Sequence, residues 1–202
     1  MSITTYAELQ TAVANWLDRD DLETRVTEFI TLAEADIFDD LRIREMQTRA
    51  DVTIDDEFVT IPTGFVEAVR FHIDASPIHL LEYRDPQQLN MWTSGTSGRP
   101  DFYTIIGTEF QFDRTGSSSY TGKLVYYKKP TSLSDSNTSN DVLSNYPNIY
   151  LYGALVHSEP FIGNDARMQT WKLMYTSAVK KANRMAEKAL YGGSQLQMTS
   201  SR

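Results

Sequence analysis

The sequence predicts an α+β protein: an antiparallel helical bundle built from the N- and C-terminal helices, with an inserted β-sandwich-like antiparallel region. Three observations predict this class. Near both ends, apolar residues recur every three or four positions, as in amphipathic helices. In the middle they occur in short alternating runs separated by Gly, Pro, Ser and Asp, as in strands joined by turns. The length of 202 residues suits one domain, or one domain with an inserted layer.

The N-terminal region predicts two helices. Thr4 or Thr5 caps the first, with Glu8 at capping-box spacing from Thr5, and its apolar stripe is Tyr6, Leu9, Val13 and Trp16. A polar turn at residues 18–21 follows. The second helix carries an apolar face and an opposite acidic face. The apolar face comprises Leu22, Val26, Phe29, Ala33, Ile37 and Leu41, and the acidic face comprises Glu23, Glu28, Glu34, Asp36 and Asp40.

The middle of the chain predicts short strands with turns between them. Strands are expected within residues 52–61, 65–73, 78–83, 102–106, 109–112 and 123–128, with turns at Gly107 and Gly116. Asp85-Pro86 starts a short helix that ends near Met91, because Pro is favoured in a first turn. Residues 131–140 are mostly Ser, Asn, Asp and Thr, so they predict a linker or mobile loop.

The C-terminal region predicts two further helices. Ser144 or Asn145 caps the third helix of the bundle, and apolar residues surround it from Ile149 to Val156, so it should be the most buried element. It ends near Glu159-Pro160, and residues 163–165 cap the last helix. The last helix predicts a heptad seam of Met168, Trp171, Tyr175, Ala178, Ala182, Met185 and Ala189. Gly192-Gly193 ends it.

These patterns divide the chain into four parts. Residues 1–45 supply the N-terminal helices, 46–143 the inserted β region, 144–192 the C-terminal helices and 193–202 a flexible tail. Neither helical pair can bury its apolar stripe alone. The four helices are therefore expected to pack as one bundle.

No motif predicts a catalytic, cofactor or metal site. The chain has no Cys, so thiolate sites are excluded, and His72, His79 and His157 lack metal-ligand spacing. The Gly95–Gly98 loop lacks the residues of a phosphate-binding loop or a nucleophile elbow. Paired carboxylates such as Asp39-Asp40 leave open a phage cell-wall hydrolase that cleaves glycosidic bonds, and the 11 Tyr and 9 Phe leave a carbohydrate-binding module open.

Charge is distributed unevenly along the chain. The net charge is −8, which argues against general nucleic-acid binding. Residues 1–57 hold fifteen Asp/Glu and five Lys/Arg, whereas residues 167–202 hold seven Lys/Arg and one Glu. These ends are either solvated surfaces, or they meet different partners, or they meet each other. The longest apolar run, 149–156, is too short to cross a membrane, and no secretion-signal pattern is present.

Several segments, in order, resemble the head-to-tail adaptor (connector) proteins of tailed phages, similar to tail tubular protein A of short-tailed phages. The C-terminal match runs through Tyr146-Pro147-Asn148-Ile149-Tyr150-Leu151-Tyr152-Gly153-Ala154-Leu155, Glu159-Pro160-Phe161 and Asn164-Asp165-Ala166-Arg167 to Trp171-Lys172 and Tyr175. The N-terminal match includes Phe29-Ile30-Thr31-Leu32-Ala33-Glu34-Ala35 and Val59-Thr60-Ile61-Pro62-Thr63-Gly64-Phe65. Each motif is structural, and their shared order makes the resemblance specific.

The resemblance implies a non-enzymatic virion protein of the neck or tail, present in the host cytoplasm during assembly. It implies a dodecameric homo-oligomer ring between the portal protein and the tail nozzle or tube, through which genomic DNA passes without specific binding. Two surfaces are hypothesised on that basis. The portal contact comprises Lys180, Lys181, Arg184, Lys188 and Tyr191, and the channel-facing surface comprises Glu23, Glu28, Glu34, Asp36 and Asp40.

Overall fold

The computed structural model describes residues 2–92, 97–114, 118–163 and 166–191. Predictions for Gly116, for the cap residues Asn164 and Asp165, and for the tail from residue 192 lie outside the described residues. The elements in chain order are α1 (Tyr6–Leu17), α2 (Val26–Asp40), β1 (Gln47–Ile54), β2 (Phe58–Thr60), β3 (Phe65–Ile73), β4 (His79–Leu80), β5 (Glu82–Tyr83), α3 (Pro86–Trp92), β6 (Phe102–Ile106), β7 (Glu109–Phe112), β8 (Tyr120–Lys128), α4 (Asp141–Asn145), α5 (Pro147–His157), α6 (Glu159–Ile162) and α7 (Arg167–Tyr191). The predicted α+β class is confirmed.

The chain forms two compact units. The helical unit joins residues 1–46 to residues 130–202, and the β unit comprises residues 47–129. Residues 130–143 were expected in the β region, but they cluster with the helices.

Helix α1 begins at the predicted capping box. The Thr5 hydroxyl accepts a hydrogen bond from the Glu8 N–H, and the Glu8 carboxylate accepts one from the Thr5 N–H. The residue after the helix, Asp18, adopts a left-handed conformation. A 3₁₀ helix over Asp20–Arg25 leads into α2, so the second predicted helix begins one turn later than expected as a regular α-helix.

Helix α5 lies at the centre of the helical unit. Its buried residues include Ile149, Tyr150, Ala154 and Leu155, which lie all round the helix as the sequence predicts. Helices α1, α2 and α7 each pack against it. Gly153 permits the closest approach, because a Cβ there would lie 3.1 Å from the Ala33 Cβ and 3.4 Å from the Tyr175 ring.

The predicted caps of the C-terminal helices are partly wrong. Ser144 and Asn145 lie inside α4, whose N-cap is Asn140, with its side-chain oxygen accepting the Leu143 N–H. No side chain caps α5, which begins at Pro147. Because proline has no N–H, it leaves one donor fewer to satisfy at that end.

The predicted seam of α7 follows the wrong period in its second half. The buried positions are Met168, Trp171, Val179, Ala182 and Ala186, with Tyr175 half-buried, whereas Met185 is 56% exposed. A heptad pattern drifts by about 20° per repeat around a straight helix, and the observed steps of three and four follow the 3.6-residue period instead.

The segment 131–140 is tied to the helical unit by hydrogen bonds, which corrects the expectation of a mobile loop. Ser134 and Asn137 exchange backbone hydrogen bonds, and the Thr138 carbonyl accepts the Tyr6 N–H at 2.7 Å. Leu133 is buried, and its N–H donates to the Glu34 carboxylate at 2.8 Å. These contacts hold the segment against α1 and α2.

The β unit is a pair of four-stranded sheets that share one apolar core. One sheet has the order β1-β8-β3-β4 and is antiparallel; the other has the order β2-β7-β6-β5, in which β5 and β6 are parallel. Phe71, Phe110, Phe112 and Tyr103 form the aromatic centre of this core, with ring centroids 5.2–6.5 Å apart. The parallel pair was not predicted.

Candidate interaction surfaces

The histidines of the described residues take part in local structural contacts. His79 Nε2 lies 2.8 Å from Asp101 Oδ1 and 3.0 Å from the Pro100 carbonyl oxygen. His157 Nε2 lies 2.9 Å from Asp36 Oδ2. His72 is buried on β3. No group of three metal-ligating side chains occurs within the described residues.

The tightest group of charged side chains surrounds Asp113 in the β unit. Asp113 is buried, and its carboxylate accepts the N–H groups of Asp101 and Phe102 at 3.0 and 3.1 Å. Arg114 lies 3.0 Å from the Asp101 carboxylate and 3.5 Å from that of Asp113. Because these carboxylates are matched by backbone donors and a guanidinium, the group fastens β6 to β7.

The β unit has open clefts, of which one is lined partly by the acids Asp51 and Asp55. Another cleft, of about 420 Å³, is lined by Ile61, Pro62, Thr63, Gly64, Phe65, Val66, Ile105, Gly107 and Thr108. None of these side chains titrates. The cleft therefore resembles a contact surface more than a catalytic one.

The structure corrects the predicted acidic surface at Glu34. Glu23, Glu28, Asp36 and Asp40 are exposed, but Glu34 is only 4% exposed. Its carboxylate accepts the Leu133 N–H at 2.8 Å and the Tyr150 O–H at 3.1 Å. Ile30 and Phe38, four residues on either side, are both buried, so Glu34 lies within the buried face of α2.

Burial raises the pKa of two tyrosines beside these acids. The pKa of Tyr150 lies above its ordinary value mainly because the phenol is desolvated, and the neighbouring Glu34 carboxylate adds to the rise. Burial also raises the pKa of Tyr175, with the negative charges of Asp40 and Asp36 adding to the rise. Both phenols therefore stay protonated near neutral pH.

The exposed acids of α2 lie on two different sides of the helix. At 100° per residue, Glu28 and Asp39 lie within about 20° of one another on the outermost side. Leu32, which is between them along the chain, lies within about 40° of both. Leu32 is 51% exposed. Asp36 and Asp40 lie about 60–120° further round, where Asp36 pairs with His157.

The predicted basic surface of α7 is exposed. Lys180, Lys181, Arg184 and Lys188 are all exposed, and within the described part of the chain none of them forms an ion pair. Tyr191 is the last residue of α7, and its side chain lies outside the described residues.

The exposed residues of α7 also fall into two groups. Lys180 and Arg184 share the outermost side with Leu173, which is 70% exposed. Lys181 and Lys188 lie about 40–100° away from them, together with Met174 and Met185, which are 42% and 56% exposed. Met185 was predicted to lie in the core of the bundle, so its exposure corrects that prediction.

Further large apolar side chains are exposed on the β unit. Ile78, Leu80, Tyr83 and Met91 are 70%, 55%, 55% and 85% exposed. Single exposed apolar residues are ordinary, but grouped ones are typical of protein contacts. Ile78 and Leu80 lie two residues apart at β4, whereas Tyr83 belongs to β5 and Met91 to α3.

Comparison with known sequences identifies the family. The profile of the SU10 adaptor protein family matches residues 4–198, which is nearly the whole chain. A search of curated protein sequences found no match to this chain. Among the described residues, no helix is long and apolar enough to cross a membrane. With its α+β fold and exposed helical surfaces, this chain belongs to the SU10 adaptor protein family, a family of bacteriophage head-to-tail adaptors and virion structural proteins.

Proposed function

We propose that the protein is a subunit of a ring, dodecameric by analogy with the proteins it resembles, that lies between the portal and the tail nozzle or tube. In that position the ring extends the channel through which the genome leaves. The observation that carries the proposal is the pair of charged outer surfaces on the helical unit, acidic on α2 and basic on α7, each with large exposed apolar side chains. Such mixed surfaces are typical of protein contacts.

A structural role fits the chemistry of the described residues better than catalysis. Asp101 and Asp113, two carboxylates that share Arg114, are matched by that guanidinium and by backbone N–H groups. A glycoside hydrolase needs two carboxylates that face a sugar across a cleft. No observation specifically favours a hydrolase or a carbohydrate-binding module over the adaptor.

The outermost basic side of α7 is the proposed portal contact. Lys180 and Arg184 stand there with Leu173, and Tyr191, the last residue of α7, remains part of the proposed contact. Charge complementarity across an interface steers association and selects the partner. The proposal therefore requires an acidic surface on the portal.

Acidic residues are also proposed to face the channel. Asp36 and Asp40 are exposed and lie away from the outermost side of α2, and Glu23 is exposed on the 3₁₀ helix before it. DNA carries a dense line of phosphate charge. Negative side chains along its path repel it, so the genome passes without adhering.

The test is assembly on the portal. Purified protein is mixed with purified portal protein, and electron microscopy is expected to show a second ring stacked on the portal ring. The variant Lys180→Glu/Arg184→Glu should bind portal roughly tenfold more weakly or worse, because like charges then meet. The matched control, Arg49→Glu/Lys128→Glu, reverses two exposed charges on the β unit and should bind normally.

Two results would contradict the proposal. One is the absence of the protein from finished virions together with no binding to portal. The other is portal binding by Lys180→Glu/Arg184→Glu that equals the control, which would remove α7 from the portal contact.

A further inference from the structure

We propose that adjacent copies of this chain meet through the outer side of α2 on one copy and a lateral stripe of α7 on the next. The acidic stripe is Glu28, Leu32 and Asp39. The basic stripe is Met174, Lys181, Met185 and Lys188. This contact rests on the proposed ring and specifies its subunit interface, which would otherwise be undefined.

The two stripes are similar in length. Glu28 and Asp39 are eleven residues apart on α2, and Met174 and Lys188 are fourteen residues apart on α7. At 1.5 Å per residue, these pairs span about 16 and about 21 Å. Two straight helices can therefore lie side by side along the whole of the acidic stripe.

The two stripes also match in chemistry. Each places an exposed apolar centre beside charges of one sign: Leu32 beside two carboxylates, and Met174 and Met185 beside two ammonium groups. Within the described part of the chain, Asp39, Lys181 and Lys188 form no ion pair, and Glu28 has only an exposed contact with Arg25 at 3.4 Å. Docking would bury the apolar centres and pair the free charges.

Asn183 prevents the basic stripe from reaching α2 of its own chain. Its side-chain oxygen accepts the Arg42 N–H at 2.8 Å, and its amide donates to the Asp40 carbonyl at 2.9 Å. This side of α7 is therefore fixed against the end of α2. Lys181 and Met185, two positions before and after Asn183, lie about 160° round the helix and face away.

A second copy is therefore the occupant that fits. A ring with cyclic symmetry needs two different complementary surfaces on every subunit, because each copy contacts one neighbour with each surface. The acidic and basic stripes form such a pair. The portal contact remains on Lys180 and Arg184, so the two surfaces of α7 have separate partners.

Disulfide cross-linking tests the geometry directly. The natural chain has no Cys, so introduced cysteines are the only thiols. Leu32→Cys/Met185→Cys should give a ladder of covalent multimers on a non-reducing gel, both on purified portal and in concentrated solution. Each single variant can give at most a dimer. The matched control, Leu32→Cys/Leu173→Cys, uses an exposed residue on the portal side of α7 and should give no ladder.

Exchange of charges between the two stripes provides a second test of the interface. Lys181→Glu/Lys188→Glu and Glu28→Lys/Asp39→Lys should each reduce ring formation roughly tenfold or more, and the four changes combined should restore it to within about threefold. In concentrated solution without portal, Lys180→Glu/Arg184→Glu should leave the ladder of Leu32→Cys/Met185→Cys intact. A combined variant that assembles no better than its parents would overturn the interface.

The outcomes separate this interface from the adaptor role. A ring on the portal without a ladder from Leu32→Cys/Met185→Cys would overturn the interface and leave the adaptor role standing. A ladder in solution without portal binding would support the interface and contradict the adaptor role. Absence of the ladder in both settings, or an equal ladder from the control pair, would also overturn the interface.

Discussion

At the scale of single residues, the buried carboxylate of Glu34 holds in place the segment that connects the β unit to α4. Its oxygen Oε1 accepts the Leu133 N–H and the Tyr150 O–H, and the Tyr150 oxygen in turn accepts an amide hydrogen of Asn140 at 2.7 Å. Asn140 also caps α4. The network thus links α2, α4 and α5 to the segment that returns from the β unit.

We expect Glu34→Ala to lower the free energy of unfolding by about 2–4 kcal/mol, because it leaves two buried donors without an acceptor. Glu34→Gln keeps a side-chain oxygen and should cost about half as much. Urea unfolding followed by circular dichroism measures both. Glu28→Ala, at an exposed position of the same helix, is the control and should change stability by less than about 0.5 kcal/mol. Equal losses for Glu34→Ala and Glu28→Ala would contradict the role of the network.

Glu34 was correctly predicted to lie on the second helix, but it was wrongly predicted to lie on the exposed acidic face. The spacing Ile30, Glu34 and Phe38 contains a usable signal, since a charged residue four positions from two apolar ones lies between them on the apolar face. Its partner is a backbone N–H 99 residues away. No local pattern specifies such a partner, because the contact arises only once the chain has folded.

At the scale of elements, α5 is the helix that the sequence described best. An apolar surface all round predicts a helix enclosed by others, and α1, α2 and α7 do pack around it. The seam of α7 was predicted less well. A heptad and a 3.6-residue period coincide over the first turns and diverge afterwards, so Trp171 and Ala182 were assigned to the core correctly and Met185 was not.

The close packing at Gly153 gives a prediction for this element. Gly153→Leu should lower the free energy of unfolding by roughly 2–3 kcal/mol, because even a Cβ at this position lies 3.1 Å from Ala33 and the rest of the side chain has no room. Ala35→Leu places the same side chain at an exposed helical position and should be close to neutral. Thermal and urea unfolding compare the two. A loss no larger in Gly153→Leu than in Ala35→Leu would show that α5 does not pack this closely.

At the scale of the whole molecule, the chain divides into a continuous β unit and a discontinuous helical unit. The change of hydrophobic period near residue 46 predicted where the helices give way to strands. The order of the strands in the two sheets could not be predicted from the sequence. Strands β4 and β5 are only two residues long, and the parallel pairing of β5 with β6 depends on contacts between distant parts of the chain. The predicted end of the β region at residue 143 was too late, because residues 131–140 have the composition of a polar linker.

The division predicts that the two units differ when separated. Residues 47–129 produced alone should unfold cooperatively, because their core of Phe71, Phe110, Phe112, Leu124 and other apolar residues is complete within that stretch. A chain ending at residue 143 should lose most of the helical signal of α1 and α2, because it lacks α5. Circular dichroism with thermal unfolding checks both. Full helical signal in the shortened chain would contradict the shared bundle.

The first and last strands of the β unit are paired along their whole length, with Gln47 opposite Tyr127 and Ile54 opposite Tyr120. The chain therefore enters and leaves this unit at neighbouring points. An evolving genome can replace such a unit by a splice at two positions a few ångströms apart, without lengthening any helix. The β unit can therefore be lengthened or replaced without moving apart the two chain ends that flank it.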